Sequence, residues 1–359
     1  MRPKLFISSL SRRGRRALQV LAARPVCKHD PSLNTPADLL PRKRIDPIDL
    51  VTPELSHLRT SLLTLLGSTH PGLTSIAEYY FRQPSKQLRP LLVLLFAHAT
   101  NGLGAGWGRK HWAANCQGAR GMAAELDAPL TRADVLNDWN PNIPEHTASF
   151  QTTFNLVSVP APTPPLPTPP ARSVPLEPCV VGQILPSQVR LAQIAEMIHV
   201  ASLLHDDVID DSPLRRGVPS SPTHFGNKLT ILGGDFLLGR ASAALSRLGE
   251  PEVVELVASV IANLVEGEVM QAREVHSPET LPDLNMRNGD EGRVSQHRWN
   301  IYLKKTYLKT ASLVAKTARS SVILGGCREG EIWKEVAYAY GRNIGIAFQV
   351  GVLLLIASP

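Results

Sequence analysis

Apolar residues recur at three- and four-residue spacing through most of the chain. Leu55, Leu58, Leu62, Leu65 and Leu66 mark one helix. A second apolar run over 91–99 opens just after Arg89-Pro90, and proline is tolerated in a first helical turn. The same spacing returns after Leu185, over 189–205, 229–248, 252–275, 300–324 and 330–349, with Ser212-Pro213 and Gly249-Glu250-Pro251 as turn signals between. Several long helices with hardly a strand candidate predict an all-α bundle.

The helical period breaks at Asn101. The segment opens with NGLGAGWG, and residues 158–178 hold nine prolines in 21. Proline at that density sustains neither helix nor ladder and favours an extended, solvated chain. Residues 101–182 therefore read as a Gly/Pro-rich, largely disordered insertion between N-terminal helices at 50–100 and a main helical domain at 183–359. Gly102, Gly104 and Gly106 follow a helical pattern and lack G-K-[ST], so they read as a flexible exit from the helix and not as a phosphate loop.

Composition narrows the function classes. Of the 38 Lys and Arg, eight fall in residues 1–29 with no acid among them, leaving 30 against 31 acids. The formal charge of +7 thus belongs to the start of the chain, and a nucleic-acid partner loses its main support. An Arg-rich, acid-poor, amphipathic beginning reads as a mitochondrial transit peptide within 1–40, with a disordered basic tail as the alternative. Cys27, Cys116, Cys179 and Cys327 are widely scattered, which excludes a disulfide scaffold and fits a reducing compartment. No apolar stretch reaches the roughly 20 residues of a spanning helix.

The chemistry concentrates in MIHVASLLHDDVIDDSPLRRGVPSSPTHFGNK, residues 197–228. At about 100° per residue, His199, Asp206 and Asp210 fall on one helix face, with Asp207 and Asp211 further round the same side. Clustered carboxylates destabilise a helix unless something compensates, and hard cations suit Asp oxygens. A solvated acidic helix end is the bland alternative. The cluster, however, follows a strongly apolar helix and precedes Arg215 and Arg216, and carboxylates beside guanidiniums are what a metal-bound diphosphate requires.

These residues resemble the trans-isoprenyl (long-chain polyprenyl) diphosphate synthases. Asp206-Asp207-Val208-Ile209-Asp210 followed by Arg215-Arg216-Gly217 is similar to that family's first aspartate-rich motif, and Lys86-Gln87-Leu88-Arg89-Pro90 to its K-x-x-R-P motif. Tyr307-Leu308-Lys309-Thr310-Ala311 resembles its K-T motif, and Gly345-Ile346-Ala347-Phe348-Gln349 its penultimate helix. The motifs stand in family order, and the likeness is strongest to mitochondrial members that make the ubiquinone side chain.

The resemblance implies a helical bundle around a central apolar tunnel and a Mg²⁺-dependent condensation of isopentenyl diphosphate with an allylic diphosphate. It implies Asp206 and Asp210 as metal ligands, with Asp207 supporting them and Arg215 on the allylic diphosphate, the four forming the catalytic group. Lys86, Arg89, His199 and Arg216 would hold isopentenyl diphosphate; Lys309, Thr310 and Gln349 would line the allylic side. Each also has a plainer reading: a solvated helix start for Lys86 and Arg89, an exposed lysine for Lys309, a core histidine for His199. Short-chain members carry a bulky aromatic five residues before the motif. Here Ala201 and Ser202 leave the tunnel open for a long product. The resemblance further implies a homodimer or a heteromer with another prenyl synthase subunit, and residence at the periphery of the inner mitochondrial membrane.

The sequence departs from the family in two places. Pro84-Ser85 replaces the usual Gly-Gly before the lysine, and no Asp or Glu follows Glu335, where a second aspartate-rich motif is usual after Gln349. Three readings stand open: a truncated or misspliced synthase, a non-catalytic regulatory subunit of a heteromeric enzyme, and an enzyme of weak activity with a single motif.

Overall fold

The computed structural model describes residues 46–66, 71–83, 85, 87–119, 183–276 and 291–357. The expected transit peptide, Lys86 and the proline-rich 158–178 lie outside them. In chain order the elements are α1 (Thr52–Leu65), α2 (Pro71–Arg82), α3 (Leu88–Thr100), α4 (Trp107–Ala119) and α5 (Pro186–Ile209). A small hairpin of β1 (Leu214–Arg215) and β2 (Val218–Pro219) follows, then the short α6 (Ser221–Phe225), α7 (Asn227–Ser246), α8 (Pro251–His276) and α9 (Glu291–Thr306). A single π-helical turn (Tyr307–Ala311) leads into α10 (Ser312–Leu324), and α11 (Ile332–Ala357) closes the set. The architecture is all-α, as the spacing predicts.

Helix α5 is the spine. It starts on Pro186, and the Leu185 N–H donates to Gln188 Oε1 at 2.9 Å, satisfying one of the donors a helix start leaves open. Leu191, Ala192, Ile194, Ala195, Met197 and Ile198 are all at most 1% exposed. A helix apolar on nearly every side belongs in the middle of a bundle, and α5 packs against α3, α7 and α10. Helix α10 is enclosed in the same way, from Ser312 to Leu324. No helix among the described residues is long and apolar enough to cross a membrane.

The helical body does not stop at residue 100, which corrects the expected boundary of the insertion. Asn101 is buried, and its side-chain NH₂ donates to the Gln183 carbonyl at 2.7 Å and to Gln188 Oε1 at 2.8 Å. Gln188 returns a bond to Asn101 Oδ1 and donates to the Ser321 carbonyl, so one amide ties the end of α3 to α5 and α10. Of the glycines expected to form a flexible exit, Gly102 is exposed, whereas Gly104 and Gly106 are packed. The Gly106 N–H donates to the Gly326 carbonyl at 2.9 Å, and a Cβ on Gly106 would stand 2.4 Å from that oxygen. Glycine is needed there for close backbone approach, and α4 continues from it.

Candidate active site

Helix α5 ends at Ile209, with Asp210 as its C-cap, and the chain turns at once into the hairpin. Strand pairing is antiparallel, Leu214 opposite Pro219 and Arg215 opposite Val218. The two turn residues, Arg216 at φ 54° and Gly217 at φ 79°, both adopt the left-handed conformation that matches hairpin twist. That is costly for a non-glycine residue, and such outliers concentrate at functional sites. Its effect is to send the two neighbouring arginines to different places.

Arg215 turns inward. Its Nε lies 2.7 and 2.8 Å from the two Asp207 oxygens, and Nη2 also pairs with Asp207. Asp207 is fully buried and accepts a further hydrogen bond from the Tyr80 hydroxyl, which itself accepts from the Ser221 N–H at 2.8 Å. Burial and the Asp207 carboxylate push the Tyr80 phenol well above its usual range. Asp207 and Arg215, grouped by sequence with the catalytic residues, thus form a buried pair that anchors the hairpin to α2, and Asp207 lines neither cavity described next.

Arg216 turns the other way, into a cavity of about 500 Å³. Arg89 from the first turn of α3, Glu196 and His199 from α5, Thr310 from the π-turn and Gly345 from α11 complete its wall. Gln87, which precedes α3, also lines it and is also left-handed, at φ 44°. Burial lowers the proton affinity of Arg89, and its Nε is buried without a hydrogen-bond partner among the described residues. His199 is held well below 6.5, by burial first and then by the Arg89 and Arg216 charges, so it is neutral. Burial pushes the Glu196 carboxyl up, against the pull of both guanidiniums. Two guanidiniums and an uncharged imidazole around a confined space, one donor still unmatched, suit an anion.

A second cavity of about 300 Å³ opens on the far side of the π-turn. Ile198, Leu238, Ile261 and Leu264 give it an aliphatic wall, and Asp206, Glu268 and Lys309 carry its charge. The Asp206 carboxyl is pushed up to about 7, by burial and then by its hydrogen-bonding neighbour Glu268, against the pull of Lys309. Consecutive residues serve the two spaces, Ile198 and Lys309 in this one, His199 and Thr310 in the first.

The structure therefore brings Arg89, His199, Arg216 and Thr310 together in one cavity, and Asp206, Ser202 and Lys309 in the other. Thr310, expected on the allylic side, stands with Arg89 and His199, its hydroxyl 3.4 Å from Gln349 Oε1. Asp210 is exposed, at the end of α5. Ala201 has no exposed surface and lines neither cavity; Ser202 does, because it sits four residues before Asp206 and hence on the same helix face. Sequence reading missed Glu196, Glu268, Gln271 and Tyr80. The signal for Glu196 was an acid set three residues before His199, among apolar neighbours in the helix.

The donors around Asp206 can be matched against Mg²⁺. That ion takes one or two carboxylates and completes its octahedron with water and substrate phosphate. A half-buried Asp206 with Asp210 a turn later fits this. Among the described residues no group of three or more His, Cys, Asp or Glu side chains is placed to hold a metal alone. The set suits a cation that arrives with a diphosphate.

Against known proteins, residues 179–351 match the family model described as polyprenyl synthetase. The chain is 43% identical to the probable mitochondrial hexaprenyl pyrophosphate synthase of Neurospora crassa, over 85% of this chain and 58% of that protein. It is 36% identical to the mitochondrial hexaprenyl pyrophosphate synthase of Saccharomyces cerevisiae, over 89% of this chain and 71% of that one. The chain belongs to the polyprenyl synthetase family. It spans less than two thirds of the Neurospora relative's length. Among solved structures, the Caulobacter crescentus polyprenyl synthase complexed with calcium and isoprenyl diphosphate aligns over 86% of this chain and 65% of that one, with a TM-score of 0.51 at 22% identity. The likeness is one of fold, and that fold is the helical bundle described above.

Proposed function

We propose that this protein is a trans-polyprenyl diphosphate synthase, condensing isopentenyl diphosphate with an allylic diphosphate to extend a long isoprenoid chain for the ubiquinone side chain. The observation that carries the reading is the pairing of two unlike cavities across one π-turn: one cationic and suited to a diphosphate, the other aliphatic with carboxylates at its charged end. Arg89, His199 and Arg216 hold the diphosphate of isopentenyl diphosphate. The allylic chain lies along Ile198, Leu238, Ile261 and Leu264, and Lys309 meets its diphosphate. Asp206 and Asp210 would hold Mg²⁺, which would supply charge stabilisation to the departing diphosphate. The aliphatic wall keeps water from the allylic cation. Ser202 sets how far the chain can grow, and Asp207 keeps Arg215 and the hairpin fixed, so that Arg216 faces the first cavity.

The mitochondrial names of the relatives and the basic residues 1–29 support a mitochondrial location, and the lipophilic product supports residence at the inner-membrane periphery. A homodimer or a heteromer with a second synthase subunit is the proposed assembly.

Radiolabelled isopentenyl diphosphate, an allylic primer and Mg²⁺ test the reading. Purified protein should incorporate label into long polyprenyl products, and Ser202→Phe should shorten them. Incorporation only after a second synthase subunit is added would make this chain a regulatory partner. No incorporation in either case would overturn the reading.

A further inference from the structure

Lys309 is held by more than its own helix. It sits on the π-turn, where the Ser312 N–H reaches back five residues to the Tyr307 carbonyl, and such widened turns occur disproportionately at functional sites. Its ammonium ion-pairs with Glu268 and donates to Gln271 Oε1 at 2.9 Å, both from one face of α8. One residue before that acid, Gly267 has no side chain. A Cβ there would stand 2.6 Å from Lys309 Cγ and 3.2 Å from Leu308 Cβ, so glycine at 267 gives the Lys309 stem its room against α8. Glu268 and Lys309 stand around the same cavity as Asp206 and act on its carboxyl with opposite sign. Both carboxylates and the lysine line the second cavity.

We infer that Glu268 and Gln271 are positioning residues that hold the Lys309 ammonium beside Asp206 as a built-in counter-ion, and that this ammonium gives way when a divalent cation takes the same carboxylate. The inference rests on the proposed function, because it takes Asp206 as the carboxylate that meets the cation. Two acidic side chains at the mouth of one aliphatic cavity repel each other when ionised, a nearby positive charge favours their charged forms, and the ammonium supplies it before substrate arrives. Once displaced, the flexible lysine stem stays at the cavity mouth, where an incoming diphosphate lies within its reach.

The direct measurement is Mn²⁺ binding to the purified chain without diphosphate, followed by electron paramagnetic resonance or calorimetry. Removing the competing charge in Lys309→Met should tighten Mn²⁺ binding about tenfold, while Lys309→Arg, which keeps the charge, should bind as the unaltered chain does. Unchanged or weaker binding in Lys309→Met, equal tightening in both variants, or no Mn²⁺ binding by either protein would each overturn the inference. A second readout separates positioning from structural support. Glu268→Gln and Gln271→Leu should raise KM for the allylic diphosphate several-fold and leave KM for isopentenyl diphosphate unchanged. A parallel rise in both, with a lowered melting temperature, would reduce these residues to helix packing. Mn²⁺ binding needs no turnover, so a catalytically silent chain can still pass this test, and an active chain can fail it.

Discussion

His199 shares a cavity with two guanidiniums, and its chemistry follows from that position. Burial and the charges of Arg89 and Arg216 depress its proton affinity well below 6.5. In the unfolded chain the same imidazole takes up a proton near 6.5, so the unfolded state binds more protons as pH falls. The stability this group contributes is complete above that value and is lost as the solution is acidified below it. His199→Gln, which keeps a polar side chain of similar reach without a titrating ring, should lose less melting temperature between about pH 7 and pH 5 than the unaltered chain. Equal losses in the two proteins would show that His199 is not buried as a neutral ring. Neighbouring residues illustrate what a motif conceals. Asp206 and Asp207 are adjacent letters of one acidic run, yet successive helical side chains diverge by about 100°, which sends Asp206 to a cavity and Asp207 into the core against Arg215.

Helix contacts at the site depend on two glycines of α11. A Cβ on Gly345 would fall 2.6 Å from Ala311 Cα and 2.8 Å from Ala311 Cβ, and one on Gly341 would fall 2.9 Å from the Val314 carbonyl. Alanine normally favours a helix over glycine by about 1 kcal/mol, whereas forcing a methyl into packed backbone costs about 1–3 kcal/mol. Gly345→Ala should therefore destabilise the chain, by up to about 2 kcal/mol in urea unfolding, and should disturb the first cavity, which Gly345 lines. A stabilised variant would mean that α11 yields without resistance at this contact. Most helices were legible because three- and four-residue spacing is a local property. The π-turn was not, since a widening confined to five residues is too short to register in the apolar spacing across 300–324. Helix α4 was missed for the opposite reason: its leading glycines look like a break, and what makes them structural is the backbone of Gly326, more than two hundred residues away. In the same way the acidic motif could be read from sequence, but that Asp206 alone of its aspartates faces a cavity depends on α8 and the π-turn arriving from elsewhere in the chain.

At the scale of the whole molecule, the sequence gap between α4 and α5 contrasts with the contacts that close it. His111 Nε2 on α4 lies 2.7 Å from Gln183 Oε1, and Asn101 reaches the Gln183 carbonyl, so the residues just before α5 are fastened to α4 and to the end of α3. Those bonds, together with the Gln188 amide cluster, would fix α4 against α5 without help from the residues between. A Gly/Ser linker of about ten residues has a mean reach of roughly 17 Å, which suffices for neighbouring ends. Shortening a loop also lowers its closure cost, by about 0.6 kcal/mol for each halving. Replacing residues 122–181 by such a linker should accordingly leave the melting temperature unchanged or slightly raised, with label incorporation retained. A fall of more than about 3 °C, near 1 kcal/mol for a domain of this size, would instead make the segment part of the fold and end its description as an insertion.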